Sequence, residues 1–130
     1  MSIELGHVAF TVKDMEASLK FYANALGIRK AFSLDREGQP WIEYLKVADG
    51  QFIELFYGGD GIPPSRTFSH LCLKVDDIHA AAEQIETAGY ALDVSPRQGS
   101  DGNWQCWTKD PDGVRVEIMQ IDPASPQAKA

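Results

Sequence analysis

The chain is written twice. Gly6-His7-Val8-Ala9-Phe10-Thr11-Val12 lies over Ser69-His70-Leu71-Cys72-Leu73-Lys74-Val75 at a shift of 63 positions, and the same shift lays Asp49–Leu55 over Asp112–Ile118. His7 therefore corresponds to His70 and Glu54 to Glu117, with His and Glu 47 residues apart in each copy. A duplicated chain of this length folds as two copies of one small module. Neither copy is long enough to count as an independent domain, so the expectation is a single domain over residues 1–122. Its modules run over about 2–58 and 66–121, followed by a loose polar tail at 123–130. A pseudo-twofold between the modules would bring two His and two Glu to the join. Nitrogen and oxygen donors of that kind suit a borderline divalent metal ion.

Each copy reads as a strand, a helix and three more strands. Residues 3–12 alternate apolar and polar side chains, the period of a strand. Asp14 is placed to cap a helix that runs to about Leu26, with Met15, Leu19, Tyr22 and Leu26 on one face and Gly27 as its stop. In the second copy Asp76 or Asp77 caps, Ile78, Ala82 and Ile85 form the face, and Gly89 stops the helix. Strands are predicted over 28–34, 41–47 and 51–57, and again over 90–94, 103–109 and 114–120. Glu37-Gly38, Asp49-Gly50, Gly99–Gly102 and Asp112-Gly113 supply turns. Gly58–Ser65, rich in Gly and Pro, is the connector. The predicted class is α+β: tandem βαβββ modules forming one curved mixed sheet with the helices on its outer face.

Strand parity decides which side chains share a face. Val8, Phe10 and Val12 form the packing side of the first strand, leaving His7 and Thr11 on the other. Leu71, Leu73 and Val75 do the same in the second copy, leaving His70, Cys72 and Lys74. Ile53 and Leu55 turn away from Phe52, Glu54 and Phe56. Val116 and Ile118 turn away from Arg115, Glu117 and Met119. Four separate parity counts thus put His7, Glu54, His70 and Glu117 on the concave side. A carboxylate inside an apolar strand is costly unless it is paired or metal-bound, and the doubling favours metal over chance. Lys74 and Arg115 are the cations on that side, suited to a substrate carboxylate or phosphate. Thr11, Phe52, Phe56 and Trp104 complete the expected substrate contacts, with Trp107 a further wall residue. His79, on the polar side of its helix, is expected to be exposed.

The formal net charge of −7 gives no basic stripe for nucleic acid and no attraction to an anionic membrane. No apolar run is long enough to span a bilayer, and the N-terminus carries no signal-peptide pattern. Cys72 and Cys106 have no CxxC spacing and sit in strand-like runs, where small buried thiols in a reducing cytoplasm are expected.

These residues resemble the vicinal oxygen chelate superfamily, also called the glyoxalase/bleomycin-resistance/extradiol-dioxygenase fold. The resemblance runs from Gly6 to Gln120. It is carried by His7–Val12, Phe21-Tyr22, Leu26-Gly27, Phe52–Leu55, Ser69-His70-Leu71 and Asp110–Glu117. Within that superfamily a His-Glu-His-Glu set is similar to glyoxalase I, whereas extradiol dioxygenases and fosfomycin-resistance transferases lack the first Glu. Methylmalonyl-CoA epimerases have Gln at that first-Glu position, and bleomycin-sequestering members lack the metal site. The resemblance implies a metal-dependent lyase or isomerase acting on a hemithioacetal or another small α-hydroxycarbonyl, with lactoylglutathione lyase as the reference activity. It implies one divalent ion, Ni²⁺ or Co²⁺ ahead of Zn²⁺, held by His7, Glu54, His70 and Glu117. Glu117 is then the main base and Glu54 the second ligand or the base on the opposite face. It also implies a homodimer, with the site within one chain or across two. The rival readings are a mononuclear-metal dioxygenase and a protein that sequesters a small molecule. Glyoxalase I usually grips glutathione with an Arg on the first strand and an Asn after the Glu-bearing strand. Here those segments read Phe10-Thr11-Val12 and Phe56-Tyr57-Gly58-Gly59, and Thr11 cannot replace a guanidinium.

Overall fold

The computed structural model describes residues 5–59 and 68–130. Residues 3–4 of the first predicted strand and 60–65 of the predicted connector lie outside the described residues. Among those described, the order is β1 (His7–Thr11), α1 (Met15–Leu26), β2 (Lys30–Arg36), β3 (Gln39–Ala48), β4 (Gln51–Phe56), β5 (Leu71–Lys74), α2 (Ile78–Thr87), β6 (Val94–Gln98), β7 (Trp104–Lys109), β8 (Arg115–Gln120) and α3 (Pro126–Lys129). The tandem βαβββ plan is therefore present. Backbone hydrogen bonding makes two four-stranded sheets, one per module, ordered β1-β4-β3-β2 and β5-β8-β7-β6. Both are mixed. The first strand of each module pairs parallel with its last, and the remaining pairs are antiparallel. The chain divides into two compact units. One holds β1, α1 through Ala23 and β2 to β4, and the other holds β5 to β8, α2 and α3.

The helices start where the sequence predicts. Asp14 is extended at φ −127°, and its carboxylate accepts from the Ala17 amide at 3.1 Å. The Asp77 carboxylate accepts from both His79 and Ala80 amides, so Asp77 rather than Asp76 is the cap. Each cap satisfies amides that the first helical turn leaves without a partner. α1 ends at Gly27, whose φ of 70° is open to glycine at little cost. The buried residues of α2 are Ile78, Ala82 and Ile85, as predicted. The buried face of α1 is broader than predicted: Met15, Ser18, Phe21, Tyr22 and Ala25 are buried, while Leu19 and Leu26 are half-buried. The bulky Phe21 and Tyr22, both fully buried, shift the stripe by about one position.

In the first unit Ile53, Leu55 and Leu45 are buried on one sheet face, and Val116, Ile118 and Cys106 do the same in the second. Glu37 and Gly38 both have positive φ, 53° and 76°, which matches the right-handed twist of the β2–β3 hairpin. β6 runs over Val94–Gln98, not 90–94. Pro96 interrupts the strand pattern there. It is tolerated because β6 is a sheet edge with an irregular register between Val94 and Arg97.

The C-terminal stretch is docked, contrary to the loose tail expected from its composition. Ser125 is buried and caps α3 by accepting from the Ala128 amide. The buried Asn103 side chain accepts from the Asp122 amide at 2.9 Å and donates to Gln127 Oε1 at 3.0 Å. Two hydrogen bonds from one buried amide fix a polar segment that composition alone marks as free.

Candidate functional site

β1 and β4 lie in parallel register, with His7 opposite Phe52, Ala9 opposite Glu54 and Thr11 opposite Phe56. Opposed residues share a sheet face, so the parity count holds in the first module. His7 Nδ1 lies 3.1 Å from Glu54 Oε2. The second module repeats this: Cys72 is opposite Glu117 and Lys74 opposite Met119, and His70 Nε2 lies 3.2 Å from Glu117 Oε1. In both pairs the carboxylate is the deeper partner. The side chain of Glu54 is 9% exposed against 55% for His7, and Glu117 is 14% exposed against 33% for His70. The imidazoles thus stand toward the open side, over carboxylates that would be costly to bury alone. His70 is further oriented by Ser69, whose Oγ is 2.9 Å from Nδ1.

Among the described residues, no three His, Cys, Asp or Glu side chains are gathered into one metal-holding group. The four predicted ligands stand as two pairs, one per module. Each pair matches the spacing of adjacent donors on one ion. Bonds of about 2.0–2.2 Å place neighbouring donors about 2.8–3.1 Å apart in octahedral geometry and about 3.3–3.6 Å apart in tetrahedral geometry. The donor chemistry and spacing of each pair therefore fit half of a divalent-metal site.

The residues around the two pairs differ. In the first module Tyr44 of β3 lies opposite Glu54 of β4. Burial, then the Glu54 charge, raises the Tyr44 hydroxyl above its ordinary value. The Tyr44 ring stacks on Phe32, with centroids 4.3 Å apart, and Phe52 meets both rings edge-on. Phe56 contacts the Trp41 ring. In the second module Trp107 occupies the place of Tyr44, opposite Glu117. Its indole N–H donates to Gln105 Oε1 at 2.6 Å. The His70 ring packs edge-on against it, and the Arg115 guanidinium lies 4.5 Å over its centre. Arg115, Lys74 and Thr11 are exposed, and Phe52 and Phe56 are half-buried, all on the face that carries the pairs.

Trp104 is a correction. It pairs with Gln120 on the opposite face, where its ring approaches His79 of α2, and Gln120 Oε1 accepts from the Ile78 amide. The same parity count applied to β7 puts Trp104 with Cys106 and Thr108, away from Trp107. His79 is exposed, as expected. Cys106 is buried, but Cys72 is exposed on the face of the His70–Glu117 pair. Burial, then the Glu117 charge and a hydrogen bond to that carboxylate, pushes the Cys72 thiol up to about 12.

Tyr44 is the site residue that sequence reasoning missed. Its signal was present, since the 63-residue shift lays it over Trp107. A second buried carboxylate, Glu43, faces the other way and receives Ser33 Oγ at 2.5 Å, Tyr57 Oη at 2.9 Å and Lys30 Nζ at 3.5 Å. It is satisfied within its own module and does not share the site face.

Comparisons with known proteins bear on the family and the fold. The profile of the Glyoxalase/Bleomycin resistance protein/Dioxygenase superfamily matches residues 4–118. A probable lactoylglutathione lyase of Vibrio parahaemolyticus is 28% identical over 127 residues, covering 92% of this chain and 91% of its own. A glyoxalase I mutant from Zea mays superposes with a TM-score of 0.77 at 22% identity, over 90% of this chain and 44% of that one. TnmS3, an antibiotic binding protein from Streptomyces sp. CB03234, superposes with a TM-score of 0.76 at 22% identity, over 94% and 99%. At that identity the two structures speak for the fold alone.

Proposed function

The chain belongs to the glyoxalase/bleomycin resistance protein/dioxygenase superfamily, and from that premise we propose that it is a metal-dependent lyase or isomerase of the glyoxalase I type. Its substrate is a small α-hydroxycarbonyl or hemithioacetal. The observation that carries this reading is the doubled His–Glu pair: His7–Glu54 at 3.1 Å and His70–Glu117 at 3.2 Å, at matched positions of a repeated module. The resemblance of the chain to lactoylglutathione lyases over nine-tenths of its length supports the same chemistry.

His7, Glu54, His70 and Glu117 would hold one divalent ion, Ni²⁺ or Co²⁺ ahead of Zn²⁺, with the two pairs drawn from one chain or from two copies in a homodimer. When bound, the ion supplies Lewis-acid stabilisation of the negative charge that develops on the substrate oxygens. The protein's own part is proton movement. A Glu117 carboxylate oxygen takes the proton from the carbon bearing the hydroxyl, and the C–H electron pair moves into the ene-diolate. As that pair forms the C=C bond, the carbonyl π pair moves to its oxygen. The carboxylic acid then returns the proton to the former carbonyl carbon, and the proton of the original hydroxyl passes to the former carbonyl oxygen, so that hydroxyl and carbonyl exchange places. Arg115 and Lys74 bind an anionic part of the substrate, and Phe52 and Phe56 exclude water. Thr11 lies beside Phe56 and offers a hydroxyl, not a guanidinium, which argues against a carboxylate of glutathione being held there. Unpaired thiols at Cys72 and Cys106 suit a reducing, cytoplasmic setting. Among the described residues, no helix is long and apolar enough to cross a membrane.

The test is turnover after reconstitution with Ni²⁺, Co²⁺ or Zn²⁺, using methylglyoxal with glutathione and then other thiols and α-hydroxycarbonyls. Metal-dependent isomerisation that is lost in Glu117→Gln supports the reading. Full turnover in Glu117→Gln would remove Glu117 as the base. Ring cleavage of a catechol that survives Glu54→Gln would favour a dioxygenase instead. Tight ligand binding without metal would favour a sequestering protein.

A further inference from the structure

The docked C-terminal segment meets the second module at one end of its site face. Met119 alternates with Glu117 on β8, so both side chains share that face, and Met119 is flanked by Lys74 of β5 and Gln105 of β7. Two residues along a strand span about 6.6 Å, so the Lys74–Met119 rung lies one short step from the Cys72–Glu117 rung. The tail arrives at Met119. Asn103 Nδ2 donates to Gln127 Oε1 at 3.0 Å and to Met119 Sδ at 3.8 Å, while Asn103 Oδ1 accepts from the Asp122 amide at 2.9 Å. One side chain therefore gathers the tail and the last rung of the site face. Asn103 is 1% exposed, and Ser125, which lies against Gly102, is 2% exposed. A buried amide is costly unless its polar atoms are paired, and the oxygen and nitrogen partners of this one both belong to the tail. The matched position in the first module is Pro40, which has no side-chain donor, and the matched rung is Thr11–Phe56. The latch is thus a device of the second module.

We propose that the segment Asp122–Lys129, held by Asn103, is the wall that ends the second site face beyond the Lys74–Met119 rung, and that it sets the largest group this face accepts. Asn103 is its positioning residue, and Gln127 is the wall residue that Asn103 ties to the rung. The size limit rests on the reading of the His70–Glu117 face as part of a ligand site. A group that extends from Glu117 past Lys74 meets the tail after one rung, so short α-hydroxycarbonyls fit there and long ones do not.

Two readouts on the full chain separate the wall from the activity. The first needs no metal. A reporter thiol is placed on the rung itself, Lys74→Cys in a Cys72→Ala chain, and its rates of reaction with methyl methanethiosulfonate and the bulkier benzyl methanethiosulfonate are compared. Both reagents meet the same thiolate, so their ratio reports room and not acidity. The benzyl-to-methyl ratio should be about fivefold higher in Gln127→Ala, the order of one lost hydrogen bond, and higher again in Asn103→Ala, which loses both tail bonds. Gln127→Glu, which keeps an oxygen for Asn103, should stay near the parent ratio. Gln127 is exposed, so Gln127→Ala should leave thermal melting nearly unchanged. A tail that only stabilises the fold would accelerate both reagents alike, and an unchanged ratio in Gln127→Ala and Asn103→Ala would overturn the proposal. The second readout uses the chain with its native Lys74 and Cys72, reconstituted with Ni²⁺, and the adducts of methylglyoxal and of hexylglyoxal with glutathione and with 2-mercaptoethanol. The preference in kcat/KM for hexylglyoxal over methylglyoxal should rise about fivefold in Gln127→Ala, through KM, on the same reasoning. An unchanged preference in an active enzyme would overturn the size-limiting role. A native chain that turns over none of these adducts, yet shows the expected reagent ratios, would count against the lyase reading and leave the wall standing.

Discussion

The two sheet faces that carry the His–Glu pairs have one backbone plan and opposite chemistry. Around Glu54 the matched positions hold Phe52, Phe56, Ile42 and Leu34. Around Glu117 they hold Arg115, Met119, Gln105 and Arg97. The first face is aromatic and apolar, with Phe32 and Leu34 left 45% and 40% exposed on the edge strand β2. The second is cationic, with Arg115 laid on Trp107. The copies share the ligand pair, a lysine (Lys46 and Lys109) and an aromatic ring (Tyr44 and Trp107), and differ at the other matched positions around it. By that chemistry the first face suits an apolar group of a ligand and the second an anionic one.

That contrast can be attacked from several directions. The largest effect should come from the carboxylates. Glu117→Gln should cut turnover by about 10³-fold or more, within the range seen for general bases, while Glu54→Gln should chiefly weaken the metal. Equal losses of turnover at equal metal occupancy would erase the distinction between the two halves. Next is thiol reactivity. Cys72 is exposed, yet its thiol is held neutral up to about 12 from an ordinary value of 9.0. At pH 8 its alkylation by iodoacetamide should therefore be roughly a thousandfold slower than in the denatured chain, because the thiolate is the nucleophile. A rate like that of the denatured chain would show that neither its burial nor Glu117 restrains it.

The second module also carries a stitch that the first lacks. Asn103, which ties the tail through Asp122 and Gln127, corresponds to Pro40 in the first copy. Asn103→Ala should lower unfolding free energy by about 1–3 kcal/mol, the cost of leaving buried partners unpaired, and should expose the C-terminal segment to proteolysis first. The smallest expected effect is on substrate choice. Arg115→Ala should raise KM for an anionic substrate about tenfold, the order of a lost hydrogen bond to a charged group, with little change in kcat. Phe52→Ala should instead weaken apolar substrates. Interchangeable effects would mean that the two faces do not divide the substrate between them.

Much of this was legible in the residues themselves. Asp14, Gly27, Asp77 and Gly89 mark helix ends through local backbone chemistry, which needs no tertiary partner. The alternation in β1, β4, β5 and β8 placed both pairs correctly, because the two faces of those strands bear clearly different side chains. β6 was misplaced because Pro96 and an irregular register hide its period. Trp104 was misassigned because its size was weighed ahead of its parity. The tail was misread because one side chain 19 residues upstream, Asn103, decides its fate. Tyr44 went unnoticed since a tyrosine in an amphipathic strand resembles ordinary packing until the register sets it opposite Glu54.

The central claim is that two pairs serve one ion. Metal content of purified, Co²⁺- or Ni²⁺-reconstituted protein tests it most directly, measured on the native chain and on His7→Ala/Glu54→Ala and His70→Ala/Glu117→Ala. The account predicts about one ion per chain in the native protein and loss of that ion in either double variant. Retention of bound metal in either variant would show that each pair acts by itself, and no metal in the native chain would remove the catalytic reading altogether.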